Sequence, residues 1–395
     1  MKEESLKKEG ENPQGENIVT GVDMKIVFVY ADSPSEWNCS QWRSLTPSDA
    51  FNASDNSGLT GKLIHVTGFL DFLNPAIQDI VMGADLVIFQ RNAVHENAFN
   101  AIQYFQGMGK PIVIDLDDAY HILPWSNPAH KFWLENEGGV AIHQLEKGLQ
   151  ISNGLIAPNR LLLSDWAHVC NGYYLPNFAE EKWWSNLPER SALKEEKGLS
   201  DRIIIGWGGS VSHYDSWWGS GIMDAAKAIC QKYPEVVWMI CGNDPRLYDA
   251  LPVSLNNKVR QWGVEPSEWP KIVKLFDIGV APLFGPYDQR RSWIKGLEYM
   301  LAGAPWVATV GEPYKDLMDF GKHIRNGADN WEKALSYLLD NLEKEQMYSL
   351  SRVPTAQGWF ASNQYETYIN IFKKIIQDAT HPMMSPQRLP GVYYV

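Results

Sequence analysis

Residues 277–309, DIGVAPLFGPYDQRRSWIKGLEYMLAGAPWVAT, carry the reading from which the fold follows. Ile278 to Leu283 is an apolar run of strand length. Gly285 and Pro286 break it, and Trp293, Leu297, Met300 and Leu301 then recur at helical spacing. Ser292 precedes this stripe as the expected helix N-cap. Gly303 stands where a helix end wants a left-handed residue, and Pro305 opens a second apolar run, Trp306 to Thr309. Strand, loop, helix, turn and strand in this order form one βαβ unit, which implies an α/β fold with parallel strands.

The first turn of this unit is crowded with polar side chains: Asp288, Gln289, Arg290, Arg291, Ser292 and Lys295. A βα loop opens at the carboxyl end of a parallel sheet, where free backbone N–H groups and the helix dipole favour a phosphate. Arg291 and Lys295 would add positive charge there. Glu298 sits inside the apolar stripe, where an unpaired carboxylate is costly, so it needs a partner such as a diol.

Working outward, Lys25 to Ala31, Leu63 to Val66, Leu86 to Gln90 and Pro111 to Leu116 read as successive strands of a first βα series. Gly154 to Pro158 and Tyr173 to Asn177 complete it. The fourth strand runs into Asp117, Asp118 and His121. Two carboxylates and a histidine at that strand end face a ligand crevice and can bind a metal or, as the stronger form, move protons; as a bland alternative Asp117 and Asp118 cap the next element or pair with a lysine. The strand pattern restarts at Asp201 to Gly209, whose paired Gly208 and Gly209, followed by Ser210, would let backbone approach a diphosphate. Val236 to Gly242 and Val259 to Gly263 continue this second series. A long amphipathic pattern, Trp359 to Ile376, closes it.

The 395 residues, 45% hydrophobic, are enough for two domains with separate cores. The balance of 35 basic and 47 acidic residues, net −12, argues against affinity built on nucleic-acid phosphates. Cys39, Cys170, Cys230 and Cys241 have neither CxxC nor zinc-ligand spacing and read as buried free thiols of a reducing, cytoplasmic protein. No apolar run reaches the roughly 18 residues of a membrane span. The 17 tryptophans and 17 tyrosines are mostly core, although such rings also stack on sugars.

The stretch 277–309 resembles the donor-nucleotide segment of GT-B glycosyltransferases of the family-4 type. The resemblance rests on Asp277-Ile-Gly, Pro282-Leu283, Arg291-Ser292, Lys295, Leu297-Glu298-Tyr299, Gly303, Pro305 and Val307. It implies two Rossmann-like domains facing across a cleft, with a C-terminal helix crossing back to the first. On this reading residues 1–23 are a disordered tail, 24–177 an acceptor domain, 178–355 a donor domain, 356–380 the returning helix and 381–395 an extended tail. The implied activity is retaining transfer of a sugar from a nucleotide diphosphate sugar to an unidentified acceptor, with no metal or other cofactor required. Glu298 would hold the ribose hydroxyls. The partner glutamate of that family would fall at position 290, which is Arg290 here. Gly263 and Val264 would contact the nucleobase through backbone. Trp42-Arg43 with Pro47 resembles a variant of the first loop and helix, on which Arg43 either faces the cleft on the acceptor side or is an ordinary surface arginine; His121, after the fourth strand, is expected on the acceptor side as well. Two alternatives stand beside this one: a non-catalytic nucleotide-sugar-binding or regulatory protein on a decayed transferase fold, and a transferase acting on nucleic acid, which the net charge disfavours.

Overall fold

The computed structural model describes residues 23–33, 35–36, 38–380 and 392–393. The expected disordered tail thus lies outside the described residues except for Asp23, and the expected extended tail except for Val392–Tyr393. The first strand series is β1 (Met24–Tyr30), β2 (Leu59–His65), β3 (Leu86–Gln90), β4 (Ile112–Asp115), β5 (Leu155–Ala157) and β6 (Gly172–Tyr174). The second is β7 (Ile203–Gly208), β8 (Val236–Cys241), β9 (Lys258–Gln261), β10 (Ile278–Ala281), β11 (Trp306–Thr309) and β12 (Lys322–Ile324).

Each series forms its own sheet, and all strand pairs within both are parallel. The first runs β6-β5-β4-β3-β1-β2, with β13 (Val392–Tyr393) added beside β6; the second runs β12-β11-β10-β7-β8-β9. The strand order reverses between β1 and β3 and between β7 and β10. Ligand crevices of open α/β sheets form outside the carboxyl ends of the strands at such reversals. The α/β architecture of two Rossmann-like domains is therefore the one expected from 277–309.

Five helices position the cleft: α1 (Arg160–Asp165), α2 (Tyr214–Ser220), α3 (Trp269–Lys274), α4 (Ile294–Leu301) and α5 (Tyr365–Thr380). In α4, Leu297, Tyr299, Met300 and Leu301 are buried against the sheet. It ends as its sequence dictates. Gly303 has φ +63°, its N–H donates to Met300 O at 3.0 Å, and Ala304 N–H donates to Tyr299 O at 2.9 Å, which satisfies two carbonyls of the last turn. The start of α4 differs from expectation. The N-cap position is Trp293 rather than Ser292, because residues 285–288 form a short helix of their own and the chain unwinds through 292. Asp277, buried before β10, accepts from Ile204 N at 2.8 Å, Lys194 Nζ at 2.9 Å and Gln346 Nε2 at 3.1 Å.

The helix α5 returns to the first domain. Tyr368 and Phe372 pack on Phe51 with ring centroids 4.8 and 6.2 Å apart, and Tyr173 donates its hydroxyl to Asp378 at 2.9 Å. The outgoing and returning crossings between domains are themselves paired: Ala179 N–H donates to Trp359 O and Ala361 N–H to Ala179 O. Residues after 179 form two short helices, Glu181–Trp184 and Arg190–Glu196, and Arg190 donates to the carbonyls of Lys274 and Gly303.

Gly303 makes the βαβ unit testable. A Cβ there would lie 2.6 Å from Leu350 Cδ2 on a backbone that side chains rarely adopt. Gly303→Ala is expected to destabilise the protein by about 1–2 kcal/mol, read as a lowered urea midpoint; an unchanged midpoint would remove the turn from this account.

Candidate functional site

The carboxyl ends of the two sheets face one another across a cavity of about 370 Å³. Its walls come from the loops after β1 and β4 on one side and after β7 and β10 on the other. A second cavity of about 470 Å³ adjoins it along β7, β8 and β9, and Lys295 lines both.

On the second-domain wall, the positive charge is held by a fixed network. Asp288 is buried and accepts from Phe284 N at 2.7 Å, Ser216 Oγ at 2.5 Å and Arg291 Nε at 2.8 Å. Arg291 in turn donates to Ser212 O and reaches His213 Nε2 at 2.9 Å. Burial, with Arg291 and Lys295 nearby, holds the His213 imidazole well below its usual pKa, so the ring is neutral and its Nε2 accepts from the guanidinium. Lys295 Nζ donates to Gly208 O at 2.5 Å and lies over the Trp207 ring at 5.2 Å. Ser292 and Ser210 line the first cavity beside these cations.

The paired glycines have a packing reason to be there. A Cβ on Gly208 would meet the Trp269 ring at 2.1 Å, and one on Gly209 the Trp207 ring at 2.7 Å. The Gly209 N–H also donates to Cys241 O, so the backbone donor expected there for a diphosphate is engaged in the sheet. Gly263 and Val264 line the second cavity, but the Gly263 N–H donates to Asn243 Oδ1 at 3.0 Å rather than standing free for a base.

Glu298 also lines the second cavity, and only 6% of it is exposed. The partner that its apolar setting demands is in part internal, since Trp269 Nε1 donates to its Oε1 at 2.8 Å. Burial pushes its carboxyl up to about 7, against the pull of Lys295 and of the Trp269 hydrogen bond. Burial likewise brings the Lys295 ammonium down to about 8, opposed by Glu298.

The first-domain wall is acidic. Asp117 accepts from Tyr120 OH at 3.0 Å and faces Arg91 at 3.5 Å. Arg91 also pairs with Asp32 and holds φ +38°, a left-handed backbone at the end of β3. Asp118 accepts from Ala119 N at 2.9 Å and from the hydroxyl of Tyr287, a residue of the opposite domain. Burial raises its carboxyl, while Arg291 and Tyr287 counter the shift.

Two residues expected on the acceptor side are placed otherwise. Arg43 touches the cavity, but its guanidinium is buried in an ion pair with Asp115 at 2.7 Å and donates to Leu175 O and Asn177 Oδ1. It braces β4 and the strand exit from beneath. His121 is not among the residues lining the cavity; its Nε2 meets Asp165 Oδ2 at 3.0 Å. Asp165, at the end of α1, also takes both branches of Arg290, at 2.5 and 2.8 Å. Burial opposes the change, yet the hydrogen bonds from His121 and Arg290 hold the Asp165 carboxyl below its usual pKa. Arg290 therefore ties the loop after β10 to the first domain. Nearby, Asn159 caps α1 through Leu162 N and donates across the junction to Gln289 O and Arg291 O.

Sequence reasoning passed over Tyr287, Asn38, Cys39 and Tyr314, of which the last three line the first cavity. None stands in a pattern that would single it out. Among the described residues no group of three or more His, Cys, Asp or Glu could hold a metal ion, and no helix is long and apolar enough to cross a membrane.

The raised Glu298 pKa couples stability to pH. The folded state holds this proton more tightly than the unfolded chain, so the contribution is complete below the ordinary value of 4.5 and is lost as pH rises through about 7. The stability of the parent relative to Glu298→Gln is expected to fall as pH rises across that window in urea titrations. A difference that stays flat with pH would show that the carboxyl titrates normally.

No protein-family model matches the sequence, and no curated protein matches it. Solved structures do. A glycosyltransferase from Rickettsia africae superposes with a TM-score of 0.60 at 14% identity, covering 90% of this chain and 99% of that one. The Anabaena protein Alr3699/HepE, solved in complex with UDP and glucose, gives 0.59 at 15% identity over 88% and 98%. Sucrose-phosphate synthase from Thermosynechococcus elongatus gives 0.59 at 10% identity over 89% and 100%. Two parallel α/β domains facing across a cleft, closed by a C-terminal helix that returns to the first, are the GT-B fold, and this chain has it.

Proposed function

We propose that the protein is a retaining glycosyltransferase of the family-4 type that takes its sugar from a nucleotide diphosphate sugar. The observation that supports this most is the convergence of Arg291 and Lys295 at the amino end of α4, on the cavity between the two sheets. A diphosphate placed there would meet two cations already oriented by Asp288, His213 and Gly208, so little reorganisation is needed as negative charge develops on the leaving group. Ser292 and Ser210 supply hydroxyl donors to the same anion. Glu298 Oε2, which has no hydrogen-bond partner among the described residues, takes a ribose hydroxyl, and Gly263 and Val264 border the base. UDP, present with HepE, is the first nucleotide to try. Asp117 and Asp118 form the opposite wall and orient the acceptor hydroxyl. Catalysis on this reading is positioning and charge stabilisation, and the chain's own residues suffice for it.

A second reading, a nucleotide-sugar-binding protein without turnover, draws on Arg290. Where the family's second glutamate would stand, this side chain faces Asp165. Hydrolysis of UDP-glucose in the absence of acceptor would decide against that reading.

Calorimetry tests the donor site. Lys295→Ala and Arg291→Ala are expected to weaken UDP by at least about tenfold while leaving uridine nearly unchanged, because each removes a charge-assisted contact to phosphate. Glu298→Gln is expected to weaken UDP and UDP-glucose alike by about tenfold. Failure of UDP, GDP and ADP to bind the parent would overturn the proposal. The affinity for UDP should also fall about tenfold between pH 7 and pH 9, as Lys295 loses its proton near pH 8, and Lys295→Ala should abolish that fall.

A further inference from the structure

The charges of the cleft are divided between its walls. Arg291 and Lys295 belong to the second domain. On the first-domain wall stand Asp117 and Asp118, and both nearby arginines are taken up, Arg43 by Asp115 and Arg91 by Asp32 and Asp117. A phosphorylated or carboxylated molecule entering from that side would face two carboxylates and, among the described residues of that wall, no arginine outside an ion pair. Hydroxyl groups, in contrast, can donate to both.

Just outside the cavity, three large aromatic side chains are turned to solvent. Trp125 is 85% exposed, the most of any large apolar side chain among the described residues; Trp218 and Phe284 are about half exposed. They lie on one rim. Ser126, next to Trp125, donates to Asp215 at 2.6 Å at the start of α2, and Trp218 follows one turn along that helix. Phe284 rests against Gly219, where a Cβ would come within 2.2 Å of its ring. The rim is joined to the cavity's acidic wall, because Asn127 donates to the Tyr287 hydroxyl that in turn donates to Asp118, which lines the cavity. Trp218 is about 6 Å of helix rise beyond Tyr214, the first residue of α2, and His213, at the N-cap of that helix, lines the cavity.

We propose that this rim and wall form the binding site for an uncharged oligosaccharide acceptor. Its terminal unit hydrogen-bonds to Asp117 and Asp118, and its following units stack on Trp125 and Trp218. The inference rests on the cleft being a transfer site. Separate planar rings interleaved with Ser126 and Asp215 suit the alternating apolar faces and hydroxyl edges of sugars. The charge of −12 and the acidic wall oppose an anionic membrane surface as the occupant.

The test uses the full chain, labelled and saturated with UDP, on an array of neutral oligosaccharides with their sulfated, sialylated and phosphorylated counterparts. Co-sedimentation with vesicles of phosphatidylglycerol and phosphatidylcholine in equal parts runs beside it. Retention on neutral glycans is expected, with the charged counterparts and the vesicles at least about tenfold weaker. Trp125→Ala with Trp218→Ala should lower retention about tenfold while the melting-temperature rise induced by UDP stays as in the parent. Trp125→Ala alone, at a side chain 85% exposed, serves if the double variant does not fold. No retention on neutral glycans, a preference for anionic glycans or vesicles, or parent-like retention by the variants would overturn the acceptor site. A UDP-induced rise with no glycan bound leaves the donor site standing and removes this one; glycans bound with no response to UDP does the reverse.

Discussion

The Tyr287 hydroxyl stands between the two halves of the molecule. It donates to Asp118 of the first domain and accepts from Asn127 of the same domain, while its own ring lies under the Arg291 guanidinium with the cation 4.5 Å from the centroid. The acidic wall and the cationic wall of the cleft are thus joined through one side chain. The neighbouring junction contacts, Arg290 to Asp165 and Asn159 to the carbonyls of residues 289 and 291, fall on the same short loop after β10. Where that loop sits determines where Arg291 and Lys295 point. The cleft geometry and the charge in it are consequently set by one set of hydrogen bonds.

How much of this was legible in the sequence depends on the range of the interactions concerned. The βαβ unit was readable because its signals are local: the apolar run before Gly285, the stripe at helical spacing, and Gly303 at the helix end. The two-sheet architecture followed from the restart of the same signals at Asp201. Arg43 and His121 were not readable. The Arg43 partner, Asp115, is 72 residues away and looked like the end of an ordinary strand; His121 meets Asp165 at a separation of 44. Glu298 shows both sides of the limit. Its place in an apolar stripe correctly demanded a partner, yet nothing in the local pattern could name Trp269 as one. The cap at Ser292 failed for a simpler reason: Gly285 and Pro286 start a separate helical turn, and the main helix begins only after it.

An acidic chain that gathers positive charge at one wall must insulate that charge from its own surplus of carboxylates. Here the carboxylates nearest to Arg291 and Lys295, Asp288 and Glu298, are buried. Asp288 orients the guanidinium through a single hydrogen bond, and Glu298 has a pKa raised toward neutrality, so part of its charge is lost. Cationic character survives at the cavity surface because one negative partner lies behind the cation and the other is partly protonated.

The return of α5 to the first domain has a consequence for synthesis. Phe51, buried by residue 368 and residue 372, belongs to a face whose other half is encoded more than 300 residues later. While the ribosome is still making the second domain, the first has β1 to β6 but not its cover, and that apolar face stays open to other nascent chains and to chaperones. Only when α5 leaves the exit tunnel can the face around Phe51 be covered, so completion of the first domain's core is timed by the synthesis of α5.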